Sequence, residues 1–322
     1  MRTSGTEQIV VTVPTHATTT TTTTTVPPTT TTTTQPPVTC TVQEGFWLVG
    51  SNGGVFTFGD APFYGSMGAA SLDAPVVGMA ATADKGGYWL VGSDGGVFTF
   101  GDARFYGSMG GHRLNAPVVA IAGSDDNRGY WEVAADGGIF AFGDARFYGS
   151  MGGQPLNAPI VGLVVTADGA GYWEVAADGG IFAFGDARFY GSMGGRHLDA
   201  PIVGMTATAD GQGYWMVGAD GGIFTFGDAR FYGSMGGHHL NAPVVDIAAT
   251  ADGQGYWMVG LDGGIFAFGD AVGPGATYRT WSLGTFVVGM AAGPVATTPR
   301  HCSARSLSRA HRKLKAAKLH RH

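Results

Sequence analysis

Gly87–Asp102 reads GYWLVGSDGGVFTFGD, and the chain repeats it. Trp47, Trp89, Trp131, Trp173, Trp215 and Trp257 fall 42 residues apart, and so do Asp60, Asp102, Asp144, Asp186, Asp228 and Asp270. A fixed period of about 20–50 residues marks a repeat architecture. Within the stretch, Tyr88-Trp89-Leu90-Val91 is an aromatic and aliphatic run of strand-forming residues. Ser93-Asp94-Gly95-Gly96 is an Asp-Gly turn of the kind that closes a tight hairpin. Val97-Phe98-Thr99-Phe100 alternates phenylalanine with other residues and predicts the returning strand.

Working outward, the run PVVGMAATA from Pro75 predicts a strand before the quoted stretch, and Phe105-Tyr106-Gly107-Ser108 reads as one after it. A glycine-containing loop, Met109–Ala116, leads to the next unit. Four short antiparallel strands per unit match one blade of a β-propeller. The chain enters the array at the second strand of a unit (Phe46-Trp47) and leaves it on a first strand (Phe286–Met290). The expectation is an all-β, six-bladed β-propeller of four-stranded blades over residues 40–302, closed by the C-terminal strand. The fourth strand of the last unit, between Ala271 and Thr285, is degenerate. The architectural rival is an open β-hairpin solenoid, which leaves two ends to cap.

The composition agrees, with 56 glycines in 322 residues and only 13% charged residues, as many short strands and tight turns require. No run approaches the ~18 apolar residues of a membrane span. Ile9–Val13 is too short for the apolar core of a secretory leader, about 7–15 residues, so either the start is truncated or export uses a signal that is not legible. Residues 1–39 hold the unbroken threonine runs Thr18–Thr25 and Thr29–Thr34 around Val26-Pro27-Pro28. They have nothing to bury and are expected to be disordered, as an O-glycosylated stalk or a plain linker. Residues 303–322 form a basic tail in which Leu307, Ala310, Leu314 and Ala317 recur at helical spacing. It reads as a short amphipathic helix or a disordered segment. From Arg300 onward there are eight Lys/Arg and no acid, which leaves ten Lys/Arg against 24 Asp/Glu elsewhere, a net of −14. An acidic body with a basic tail is more telling than the overall charge of −6.

The two cysteines flank the array. Cys40 precedes the first strand and Cys302 follows the last, positions that are neighbours only if the array closes. A Cys40–Cys302 disulfide is expected, and with it an oxidising compartment. The alternative is two unrelated free thiols.

The consensus GYW-x-V-x-x-DGG-I/V-F-x-FGDA-x-FYGSMGG resembles tandem repeats of actinobacterial secreted and cell-envelope proteins over about residues 45–292. The resemblance implies a propeller-like array and an extracellular or envelope-associated location. In that family the repeats often accompany cell-wall hydrolases or peptidases, but it assigns the repeats themselves no activity, and no catalytic domain of those types is visible in this chain. Asn52 for the turn aspartate, Pro62 for the arginine and the missing FYGS of the last unit depart from the consensus, all at the proposed seam.

Positions shared by every unit report the scaffold, and positions that differ are the candidates for function. The turn aspartates Asp94, Asp136, Asp178, Asp220 and Asp262 tolerate the left-handed backbone of an Asp-Gly turn and read as structural. Arg104, Arg146, Arg188 and Arg230 read as charge on a solvated edge strand, paired with carboxylates or forming a ring for an anionic polymer. The loops before each new unit vary and supply the candidate ligand-binding residues His112, Arg113, Arg196, His197, His238 and His239. Their charge would respond to pH. Adjacent histidines such as His238 and His239 also suit zinc, although exposed histidines in a glycine loop need no metal. Glu132 and Glu174 replace the leucine or methionine of other units and are the candidates for a general acid and base, against a reading as partners of nearby arginines. Asp246 stands where other units carry Gly or Ala and is expected to face the channel.

Phosphate-binding Gly-rich motifs are absent, and no cofactor or specific nucleic-acid signature is legible. Ser108 and its equivalents recur without a private histidine and acid. The expected function is a monomeric, non-catalytic interaction module for cell-wall glycan or another envelope polymer. Arg309, Arg312, Lys313, Lys315 and Lys318 would add attachment to anionic surfaces. The rivals are a propeller-type glycan hydrolase or lyase using Glu132, Glu174 and Asp246, and a structural spacer or adhesin with no small ligand.

Overall fold

The computed structural model describes residues 44–273 and 284–293. The segment 1–39, Cys40, Cys302 and the tail cations Arg309, Arg312, Lys313, Lys315 and Lys318 lie outside the described residues.

The described chain is all β and begins with β1 (Phe46–Gly50) and β2 (Val55–Phe58). Five triplets follow. They are β3 (Val76–Ala81), β4 (Gly87–Gly92) and β5 (Val97–Gly101); β6 (Val118–Gly123), β7 (Gly129–Ala134) and β8 (Ile139–Gly143); β9 (Ile160–Val165), β10 (Gly171–Ala176) and β11 (Ile181–Gly185); β12 (Ile202–Ala207), β13 (Gly213–Gly218) and β14 (Ile223–Gly227); and β15 (Val244–Ala249), β16 (Gly255–Gly260) and β17 (Ile265–Gly269). β18 (Val287–Ala292) comes last. These strands make six three-stranded sheets, with β18-β1-β2 as sheet one and the triplets as sheets two to six. Sheet one is thus assembled from both ends of the array. β18 runs antiparallel to β1, with Ala292 opposite Phe46, and Gly293 N donates to Gly45 O at 2.8 Å.

The expectation of four-stranded sheets is corrected. The segment Phe105-Tyr106-Gly107-Ser108 and its equivalents join no ladder, because the next sheet takes their backbone groups. Tyr64 N and Gly65 N both donate to the Tyr88 hydroxyl, at 3.2 and 3.1 Å, and that hydroxyl donates back to Gly65 O at 2.6 Å. The Tyr64 hydroxyl donates to Lys85 O at 2.9 Å. Tyr130, Tyr172, Tyr214 and Tyr256 take the corresponding bonds one unit further on. Gly65 lies at φ 140°, and a Cβ there would come within 2.5 Å of the Phe100 ring, so only glycine lets the segment cross onto its neighbour. The segment is a staple between sheets rather than a strand within one.

The middle strands are buried along their whole length, because each is sandwiched between neighbouring sheets. Their side chains alternate. Trp47 and Val49 face the following sheet, where Tyr88 and Leu90 meet them. Each fully buried tryptophan contributes about 2–3 kcal/mol from apolar burial, and its indole N–H is satisfied, as by Trp89 Nε1 donating to Arg104 O at 2.8 Å. Sheet six meets sheet one in the same way. Phe46 and Leu48 pack on Trp257 and Val259, with the Phe46 and Trp257 rings 5.5 Å apart. Phe46 stands where every other middle strand has tyrosine, and the unit before it in this packing order is the one whose sequence lacks FYGS. The hydroxyl and the FYGS motif it would hold are missing together from the sequence.

Candidate functional site

The first strand of each sheet lines a cavity of about 190 Å3. Asp246 on β15 is its one charged lining residue. Its carboxylate accepts from Met290 N at 2.9 Å and from Ile247 N at 2.8 Å. Small residues make room for it, since a Cβ on Gly204 would lie 3.1 Å from Oδ1. Burial pushes its pKa up to about 6, against the pull of those two N–H groups.

Glu132 and Glu174 lie at the centres of β7 and β10, inside two different sheet interfaces and far from an acid–base arrangement. Both are 0% exposed, and none of their four carboxyl oxygens has a hydrogen-bond partner. The arginine partners expected for them are not there. Each carboxyl sits under the Asp-Gly turn of the preceding sheet, where a Cβ on Gly95 or Gly137 would come within 2.9 Å of Oε2. Burial, and then the charge of Asp94 beside Glu132, push that carboxyl up to about 8. Burial and then Asp136 do the same to Glu174, again to about 8.

His112, Arg113, Arg196, His197, His238 and His239 are all exposed on the variable loops. These loops stand beside the Asp-Gly turns, because Met109, Met193 and Met235 each donate an N–H to the glycine carbonyl of such a turn at 2.9 Å. His197 Nε2 lies 3.5 Å from Asp199 Oδ1. Among the described residues, no three His, Cys, Asp or Glu side chains are grouped to hold a metal ion. The turn aspartates act on their own backbone, as Asp94 does in accepting from Gly96 N at 3.0 Å.

Sequence reasoning missed a second recurring feature, the clefts between adjacent sheets. The cleft between sheets four and five has a volume of about 460 Å3, and the one between sheets five and six about 280 Å3. Their linings correspond at a shift of 42 residues. Asp168, Asp186, Arg188 and Tyr190 face Asp210 and Gln212 in the first, and Asp210, Asp228, Arg230 and Tyr232 face Asp252 and Gln254 in the second. The Thr166 hydroxyl lies 2.8 Å from Asp168 Oδ1 and 3.3 Å from Asp186 Oδ1, so the two carboxylates converge on one hydroxyl. That hydroxyl and the Ala170 N–H hold the Asp168 carboxyl below its ordinary range. Across the cleft, the Tyr190 hydroxyl donates to Gly211 O at 3.1 Å.

The cleft arginines do not pair with carboxylates, contrary to one expectation. Among the described residues the ion pairs are Arg128–Asp126, at 3.8 Å, and His197–Asp199. The signal for the clefts was the period itself, since Asp168 repeats in five units and Asp186 in all six, but only the packing of two units brings them opposite Asp210 and Gln212. The same repeat leaves Phe63, Phe105, Phe147, Phe189 and Phe231 exposed beside the arginine positions.

No family model matches the chain, and no curated protein matches it.

Proposed function

We propose that this chain is a closed six-bladed propeller that works as a non-catalytic binding module for a surface polymer, most simply a cell-wall glycan. The observation that carries the reading is the repetition of one chemically mixed cleft at a fixed step around equivalent sheets. A repeated site suits a repeated ligand, because linked sites on a polymer gain avidity without new contacts. Closure is supported by β18 completing sheet one, by β18 lying beside both β3 and β15, and by the joint loss of the Phe46 hydroxyl and the last FYGS. An extracellular or envelope location remains the proposal that the Thr/Pro segment and the resemblance to actinobacterial repeats suggest.

A Cys40–Cys302 disulfide belongs to the same reading, since Gly45 and Gly293, five and nine residues inside the cysteines, are hydrogen-bonded to each other. A thiol assay on the unreduced, denatured protein is expected to find no free thiol, and two free thiols would remove the cross-link. For the function, sedimentation of the full chain with isolated cell-wall fractions is expected to show saturable binding that survives removal of residues 303–322 at high salt. Loss of all binding with the tail would transfer the activity to its cations.

A further inference from the structure

We propose that the clefts between sheets four and five and between sheets five and six are two equivalent sites for neutral saccharide units, held open by Gly211 and Gly253. This rests on the reading of the chain as a polymer-binding module and names its ligand class and its site.

The oppositely charged groups of the lining are not spent on each other. Arg188 and Asp186 share the first cleft and form no ion pair. The Gln212 amide closes the opposite wall, with Nε2 3.4 Å from Asp210 Oδ2. Sugar hydroxyls donate and accept at once, so they satisfy carboxylates, a guanidinium and an amide together, as few other ligand classes do. Half-buried Tyr190 adds aromatic surface for the apolar face of a sugar ring. Three carboxylates against one guanidinium make the cleft electronegative, which disfavours uronate or phosphate polymers.

The units differ in the residue that stands at one wall of the cleft, which is Lys85, Asn127, Gly169, Gly211 and Gly253 in turn. The position of Gly211 and Gly253 lies at φ 69° and 68°. Its equivalent in unit three is Asn127, at φ 62°, one of only two non-glycine residues with positive φ among the described residues. Asn127 spans its cleft. Its Oδ1 accepts from Ala83 N at 2.6 Å, and its Nδ2 donates to Asp84 Oδ1 at 3.1 Å. A Cβ on Gly211, by contrast, would meet nothing within 4 Å, and one on Gly253 would meet only Ala209, at 3.5 Å. Asparagine tolerates this backbone region, so the chain itself shows how to shut the site without touching a carboxylate.

The test is the full-length Gly211→Asn/Gly253→Asn variant, with binding measured on immobilised mannan, galactan, glucan and polygalacturonate. The wild type is expected to bind at least one neutral polymer and to ignore polygalacturonate. Gly211→Asn alone is expected to weaken that binding about 10-fold through lost avidity, and the double variant about 100-fold or more, with unchanged circular dichroism. If the double variant misfolds, Asp186→Asn/Asp228→Asn replaces it, with the same loss expected. Unchanged binding by a folded variant, or a preference for polygalacturonate, would overturn the cleft assignment and leave the polymer-binding reading standing. Wild-type protein that binds none of the four polymers and no cell-wall fraction overturns both.

Discussion

The interface between sheets two and three and the one between sheets five and six are built alike. Each has a buried tryptophan facing a buried tyrosine, a staple from the preceding unit and an Asp-Gly turn above. They differ at one central position, which is Glu132 in the first and Met258 in the second, both 0% exposed. Leu48, Leu90 and Met216 side with Met258, and Glu174 sides with Glu132. A frame that seats a methionine or leucine without strain also seats a carboxyl with no partner, provided that the carboxyl keeps its proton. The fold therefore tolerates the two glutamates rather than needing them, and the cost of keeping them depends on pH.

The largest effect should come from giving the odd interfaces the residues of their siblings. In the folded protein both carboxyls titrate at about 8, and in the unfolded chain at their ordinary value of 4.5. Between those values the unfolded state binds fewer protons, so wild-type stability falls as pH rises and levels off above about 8. Glu132→Leu/Glu174→Met is expected to gain about 3 kcal/mol per site at pH 8 and much less at pH 4.5. Denaturant titrations across this range read it directly, and parallel pH profiles for variant and wild type would contradict it. Glu132→Gln should flatten the profile at its site without the full gain, because a buried polar group remains.

The reverse transplant sharpens the comparison. Met258→Glu is expected to cost about 3 kcal/mol at pH 8 and to bring a new alkaline loss of stability to sheets five and six. A cost that does not vary with pH would show that the two interfaces are not equivalent. Tyrosine to phenylalanine should act alike in both. Tyr130→Phe strands Tyr106 N and Gly107 O, and Tyr256→Phe strands Tyr232 N and Gly233 O, so each is expected to cost about 2 kcal/mol in thermal or chemical unfolding. Sheet one already has this substitution, as Phe46, where the partner segment is absent from the sequence. The smallest effect falls in the cavity. Asp246→Asn is expected to change stability by about 1 kcal/mol and to remove a titration near pH 6 in which stability falls as pH rises.

Much of this was legible because the units are copies. The tryptophan period placed the middle strands, the Asp-Gly turns placed the hairpins, and the offset between Phe46 and Val287 showed that the last strand belongs to the first sheet. The staple was not legible, since Phe-Tyr-Gly-Ser has strand-like composition and nothing local reveals that the next unit's tyrosine hydroxyl takes its amides. Glu132 and Glu174 stood out by type, but whether they reach solvent depends on the sheet packed over them. The clefts were invisible for the same reason. Asp168, Asp186 and Arg188 belong to one unit, Asp210 and Gln212 to the next, and the space between them exists only once the two units pack. The variable loops with His112, Arg196 and His238 are exposed as expected, yet exposure alone does not make them the site.

Hydrogen exchange on the full chain, with and without a saturating neutral polysaccharide, separates these possibilities most directly. The account predicts slowed exchange in residues 166–170, 186–190, 208–212, 228–232 and 250–254, with the loops 111–113, 195–197 and 237–239 unchanged. Protection confined to those loops, or no change anywhere under saturating ligand, would contradict it.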